Sequence, residues 1–326
     1  MAENPWGAGE RPDGRGQEWQ LLEKVALASV EEQRRSRRWG IFFKLMTLGY
    51  LLLLLLLIFK PGKVDKGAEF AGDHTAVVNV YGEIADDKEA NAETIITGLQ
   101  AAFEAKHSKA VILRINSPGG SPVQSAYVYD EIRRLRAKYP SKKLYAVITD
   151  MGASGAYYMA SAADQIYVSP ASLVGSIGVI MQGFGVQGLI QKLGVEDRTM
   201  TAGKHKAIMS PFETPSPEEK AHIQNMLDTI HQQFITAVKQ GRGQRLKETP
   251  DTFSGLFWTG QQAVDLGLAD GFGSAATVAK DVVKAEDLVD YTENPNPLEN
   301  VFKRLGVTMG KAALASLEAD GQARLR

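Results

Sequence analysis

The chain has 326 residues, a net charge of −1, 44% hydrophobic and 23% charged residues, and no cysteine. That composition excludes a disulfide framework and a thiolate metal site, and it offers no broad basic field to attract nucleic acid. The five histidines (His74, His107, His205, His222, His231) show no HExxH or comparable ligand spacing, so a zinc enzyme is not expected.

Residues 1–38 begin with a run of Pro and Gly (Pro5, Gly7, Gly9, Pro12, Gly14, Gly16) that predicts disorder, followed by a short amphipathic helix at 20–33. Residues 39–59 are apolar apart from Lys44, and positions 51–57 are all leucine. At ~1.5 Å per residue, about 20 helical residues cross the hydrocarbon layer, so 39–59 predicts a transmembrane signal anchor contacting membrane lipid. Lys44 sits where its stem can reach the interface, and Trp39 suits the aromatic belt. Arg34, Arg35, Arg37 and Arg38 precede the span, whereas Lys60, Lys63 and Lys66 follow it with Asp65 among them. The positive-inside rule then places 1–38 in the cytoplasm as an arm and the rest outside. About 38 polar residues precede the run and no small-x-small site follows closely, which argues for an uncleaved anchor.

Residues 60–74 read as a linker, 75–290 as the folded domain and 291–326 as a tail ending in a loosely attached helix. Within the domain, strand signals at 75–81, 110–115, 144–149, 165–168 and 179–181 alternate with helical spacing at 89–106, 122–138 and 156–163. This alternation predicts an α/β core with largely parallel pairing. A long amphipathic helix at 217–240 opens with Pro217 and the acidic pair Glu218 and Glu219, which suit the positive end of a helix.

Two small-residue turns each follow a predicted strand and precede a predicted helix. The first is Asn116-Ser117-Pro118-Gly119-Gly120-Ser121-Pro122, and the second is Gly152-Ala153-Ser154-Gly155-Ala156. Without side chains, Gly119 and Gly120 let a ligand oxygen approach their amides, as an oxyanion hole requires. The plainer alternative is ordinary turn chemistry. Ser154, flanked by small residues, reads as a nucleophile or as a helix N-cap; Tyr157 stands where a capping box would need Glu or Gln. No histidine has an evident acid partner, so the base for such a serine would be a lysine whose pKa apolar burial has lowered from ~10.4 toward 7. Lys206, followed by Ala207, Ile208 and Met209, has apolar company, whereas Lys204 lies between Gly203 and His205.

Together with Gly175-Ser176-Ile177-Gly178-Val179-Ile180, Lys206 to Pro211 and 260–271, these motifs occur in the order seen in bacterial signal peptide peptidase A, also called protease IV. The resemblance covers residues 75–285 and one copy of the core, as in the short form of that family. It implies a ClpP/crotonase-like fold of repeated β-β-α units and a Ser/Lys dyad that cleaves signal-peptide remnants and other short or unfolded chains. By this likeness Ser154 is the nucleophile, Lys206 rather than Lys204 the general base, and Gly119 with Gly120 the oxyanion amides. Ser176 is a candidate for orienting the lysine, or else a turn-stabilising hydroxyl. The likeness also implies a homo-oligomeric ring in which neighbouring subunits share a site. It places the protein in the bacterial cytoplasmic membrane with the catalytic domain outside. Ala156 departs from the second glycine of many relatives. Rival readings are a crotonase-type acyl-CoA hydratase or isomerase, a stomatin-linked peptidase of the same clan, and a non-catalytic membrane scaffold.

Overall fold

The computed structural model describes residues 14–58 and 72–293, with side chains in the first stretch described at 24, 27 and 32–53. The chain divides into two compact units, Met1–Val64 and Asp65–Arg326. In the first, α1 (Gly14–Ile58) is one continuous helix of 45 residues. The short helix expected at 20–33 is therefore not a separate element, and the helix begins within the Gly-rich opening expected to be disordered. Arg, Glu, Leu and Ala dominate residues 20–38, all good helix formers, and nothing between the two segments breaks the backbone pattern. Among the described residues no helix is long and apolar enough to cross a membrane; the described side chains stop at Leu53, inside the leucine run. Most of the expected linker and the helix expected in the tail lie outside the described residues.

Among the described residues, the second unit is built on an eight-stranded sheet. Its strands are β1 (His74–Tyr81), β2 (Ser108–Ser117), β3 (Lys143–Ala153), β4 (Gln165–Val168), β5 (Leu173–Gly175), β6 (Phe257–Thr259), β7 (Gly271–Phe272) and β8 (Leu288–Asp290). The main order is β6-β5-β3-β2-β1-β8, with β4 pairing β3 and β7. Every pairing is parallel except β5 with β6. The expected α/β class with parallel pairing is thus observed. The unit's main helices are α2 (Ala92–Glu104), α3 (Pro122–Lys138), α4 (Gly155–Ala160), α5 (Gln187–Lys192), α6 (Pro217–Arg242) and α7 (Gly260–Asp265), followed by the short α8 (Ala275–Thr277) that runs on into a π-helical turn (Val278–Val283).

Alternation along the central strands divides the core between two faces, because successive side chains of a strand point to opposite sides. Val78, Val80, Leu113, Ile115, Ala146 and Ile148 face one cluster with Leu99, Phe103, Val128, Ile132 and Val238. Val77, Ile112 and Val147 face the other, covered by Ala275, Val278 and Ala279. Side-chain caps set the helix starts: Asn91 opens α2, Ser121 opens α3, and Ser216 with Glu219 forms a capping box on α6. Polar pinning holds α6 down. The fully buried Arg242 donates to Gly267 O at 2.8 Å and grips Asp270 at 2.8 and 2.9 Å, while Asp270 also accepts from Ile166 N–H.

One expected strand is not formed. Residues 179–181 have no regular structure, and Leu173–Gly175 takes the place beside β3 instead. After Ser176, at φ 50°, the chain leaves the sheet, so the β-branched pattern at 179–181 has no strand to pair with.

Candidate active site

Both motif turns lie at the carboxyl ends of parallel strands, where open α/β sheets place their ligands. The reason is a fork in β3. Its residues Tyr145 to Ile148 pair with β4, whereas Met151 to Ala153 pair with β5. On the other side Ser117 of β2 pairs with Gly152. The two turns therefore open side by side.

Ser154 links β3 to α4 at φ 52° and ψ −127°, a region that costs a non-glycine residue about 1–3 kcal/mol. Its N–H donates to Gly175 O at 2.8 Å, and its hydroxyl makes no capping bond. The helix-cap reading of this serine therefore loses its defining hydrogen bond. A half-buried hydroxyl on a sharp, strained strand-to-helix turn is the geometry of a nucleophile elbow.

Gly119 packs directly on this turn. At φ 96°, a Cβ on it would come within 2.7 Å of Ser154 Cβ, Ala153 O and Gly155 N. The Gly119 amide, however, donates to the buried Ser117 Oγ at 3.1 Å. Among the described residues the N–H groups of Gly120 and Gly155 have no hydrogen-bond partner. They lie close together, since a Cβ on Gly155 would stand 3.4 Å from Gly120 N. Of the two glycines singled out in sequence, Gly120 has the uncommitted amide in this conformation and Gly119 supplies the space. Gly155 was missed. Its position directly after the serine, at a helix N-terminus, was the available signal.

Ser176 follows the Ala153 and Gly175 register pair and so lies alongside Ser154. It too has a positive φ of 50°, and its N–H donates to Leu256 O at 2.8 Å. Next along the chain, Ile177 O accepts from His231 of α6 at 2.9 Å.

Lys206 is placed differently from expectation. It lies in a turn between α5 and α6 and is exposed, with Ala207 and Ile208 only half-buried. Among the described residues, none provides the apolar enclosure implied by its neighbours. Among the described residues its ammonium has no hydrogen-bond or ion-pair partner, nor has the Ser154 hydroxyl. Lys204, by contrast, is tied to Glu218 at 2.8 Å, and that hydrogen bond and charge raise its pKa above the usual lysine value. His205 lies 3.5 Å from Glu218 and 3.3 Å from Glu219. Of the two lysines in this turn, Lys206 is the uncommitted one. Among the described residues no group of His, Asp and Glu is arranged to hold a metal ion.

A strained serine elbow beside free backbone amides, at the carboxyl edge of a parallel sheet, is the layout of an acyl-transfer site. The profile of peptidase family S49 matches residues 136–289, a stretch that contains Ser154, Ser176 and Lys206 and begins after Gly119 and Gly120. The chain is 33% identical over 231 residues to a candidate protease of Synechocystis, covering 68% of this chain and 80% of that one. It is 33% identical over 223 residues to a candidate signal peptide peptidase SppA of Enterococcus faecium, covering 66% and 64% of the two chains. It is also 46% identical over 175 residues to the Na(+)/H(+) antiporter NhaA of Brucella melitensis, covering 54% of this chain but 24% of that protein. The chain thus spans about a quarter of the Brucella relative and under two thirds of the Enterococcus one. The chain belongs to peptidase family S49.

Proposed function

We propose that the chain is a membrane-anchored serine endopeptidase on a ClpP/crotonase-like scaffold, with Ser154 as nucleophile and Lys206 as general base. Its substrates would be cleaved signal peptides and other short or unfolded polypeptides on the outer side of the cytoplasmic membrane. The observation that carries this reading is the Ser154 elbow, with its uncapped hydroxyl beside the free Gly120 and Gly155 amides. The name of the Enterococcus relative supports the substrate class. The apolar composition of residues 39–59 supports the anchor.

In this mechanism an extended substrate pairs with an exposed sheet edge. Neutral Lys206 takes the Ser154 proton as Oγ attacks the scissile carbonyl. The Gly120 and Gly155 amides, joined by Gly119 should its bond to Ser117 open, hold the oxyanion. The intermediate collapses to an acyl-enzyme as the leaving amine receives the proton from Lys206. Neutral Lys206 then takes a proton from water as it attacks the acyl carbonyl, and returns that proton to Ser154 Oγ as the acid product leaves. No cofactor takes part.

Lys206 needs company to act. The stretch that bears it exposes Ile180 (75%), Phe184 (87%) and Met200 (96%), as a surface that meets another protein does. In the proposed ring a neighbouring copy covers this apolar surface, and Ser154 and Lys206 of one site come from different subunits.

The test is hydrolysis of a quenched fluorescent peptide by the full chain in detergent, beside Ser154→Ala, Lys206→Ala and Lys204→Ala. The first two lose activity by at least about 10³-fold, Lys204→Ala keeps it, and the wild-type rate climbs toward alkaline pH. Activity surviving Ser154→Ala refutes the site, and an active monomer on size exclusion refutes the shared dyad. Because the chain has no cysteine, Ser29→Cys and Glu286→Cys report topology through an impermeant thiol reagent on intact cells. Labelling of residue 29 but not 286 refutes the orientation.

A further inference from the structure

We infer that Trp258 is a positioning residue for the nucleophile, acting through the Gly175 and Ser176 turn. The inference rests on the reading of Ser154 given above.

Two non-glycine residues with positive φ, Ser154 at 52° and Ser176 at 50°, lie side by side at the end of the β3 and β5 pair. Such backbones persist only where the surroundings over-determine them. Three contacts supply that constraint here. Ser154 N–H is held by Gly175 O at 2.8 Å. Ser176 N–H is held by Leu256 O at 2.8 Å. Between them lies Gly175 at φ 99°, where a Cβ would stand 2.8 Å from Trp258 Cδ1 and 3.4 Å from Trp258 Nε1.

The indole is thus packed against the backbone whose carbonyl holds the nucleophile. Strand register reinforces this, because Trp258 pairs with Val174 and Phe257 with Gly175. The buried Trp258 N–H has no hydrogen-bond partner among the described residues. The ring's planar bulk, not its polar atom, therefore carries the role. A smaller side chain would free Gly175 to relax and let the Ser154 hydroxyl drift from the Gly120 and Gly155 amides.

The chain has four tryptophans, and Trp6, Trp19 and Trp39 lie outside the Asp65–Arg326 unit. In the full chain carrying Trp6→Phe, Trp19→Phe and Trp39→Phe, the emission of Trp258 becomes a local reporter. Labelling by a serine-directed fluorophosphonate, absent in Ser154→Ala, should shift that emission. In the otherwise native chain, Trp258→Phe should keep kcat within about fivefold, because a planar ring remains. Trp258→Ala should lower kcat about 10²-fold with KM nearly unchanged, the scale of a ~1 Å misplacement. Gly175→Ala, which crowds the ring from the other side, should show the same split and combine non-additively with Trp258→Ala.

Should Trp258→Ala fail to fold, the emission shift and the Gly175→Ala and Trp258→Phe rates decide. An unchanged emission on labelling overturns the inference, as does Trp258→Ala activity within threefold of wild type or a loss confined to KM. Failure of the parent chain to label at Ser154 would instead refute the peptidase reading.

Discussion

Replacing Gly119 by alanine tests whether the packing of the two turns governs the chemistry. The new Cβ would lie 2.7 Å from Ser154 Cβ, Ala153 O and Gly155 N. That falls roughly 0.8 Å or more short of ordinary carbon contact, and two of the three neighbours are backbone atoms that cannot rotate away. Alanine is also disfavoured at φ 96°, at a cost of about 1–2 kcal/mol. A displacement approaching 1 Å of the serine from its amides costs about 10²-fold in rate. Gly82→Ala is the matched control, since Gly82 has φ 77° and nothing within 4 Å of its Cβ position. The expectation is a fall in thermal stability for both variants, larger for Gly119→Ala by the cost of the clash, with fluorophosphonate labelling of Ser154 slowed about 10²-fold only in Gly119→Ala. Equal labelling rates would show that Gly119 is no part of the site's geometry and would refute the reasoning from contact.

Two further outcomes follow from the polar core. Burial pushes the Asp270 carboxyl up, but the Arg242 hydrogen bonds and charge outweigh it and hold the group below the ordinary value of 3.8. With its folded pKa depressed, Asp270 contributes stability that is present above the unfolded value and lost as pH falls through the folded one. Asp270→Asn should therefore cost about 3–5 kcal/mol at pH 7 by leaving Arg242 buried without its partner, and it should flatten the acid limb of denaturant midpoint against pH below about 4. An unchanged acid limb would count against the assignment. Tyr157, fully buried, donates to Leu268 O at 2.8 Å, and burial raises its phenol well above the ordinary value. Tyr157→Phe leaves that carbonyl without its partner and should lower stability by about 1–3 kcal/mol in a urea melt while sparing the labelling of Ser154.

Much of the fold was legible because it is encoded locally. The helix expected at 122–138 is observed at Pro122–Lys138, where Ser121 and Pro122 set the start, and the spacing of Val128, Ile132 and Leu135 marks the buried face. The strand expected at 165–168 is likewise observed at Gln165–Val168. The helix at 89–106 was shortened to Ala92–Glu104 because Asn91 caps it. The failure at 179–181 has a non-local cause. A β-branched stretch becomes a strand only where a neighbour offers a ladder, and here Leu173–Gly175 occupies that edge.

The same division runs through the site. By itself, the order of residues determined that two glycine-rich turns follow two strands, that Ser154 stands free of bulky neighbours, and that Lys206 differs in company from Lys204. Only the tertiary structure decided that β3 forks so that the turns meet, that Gly119 gives its amide to Ser117 while Gly155 keeps its own free, and that Lys206 lies exposed. Periodicity and capping act over a few residues and are written into them. Whether an amide is committed or an amine is enclosed depends on atoms far away in the chain.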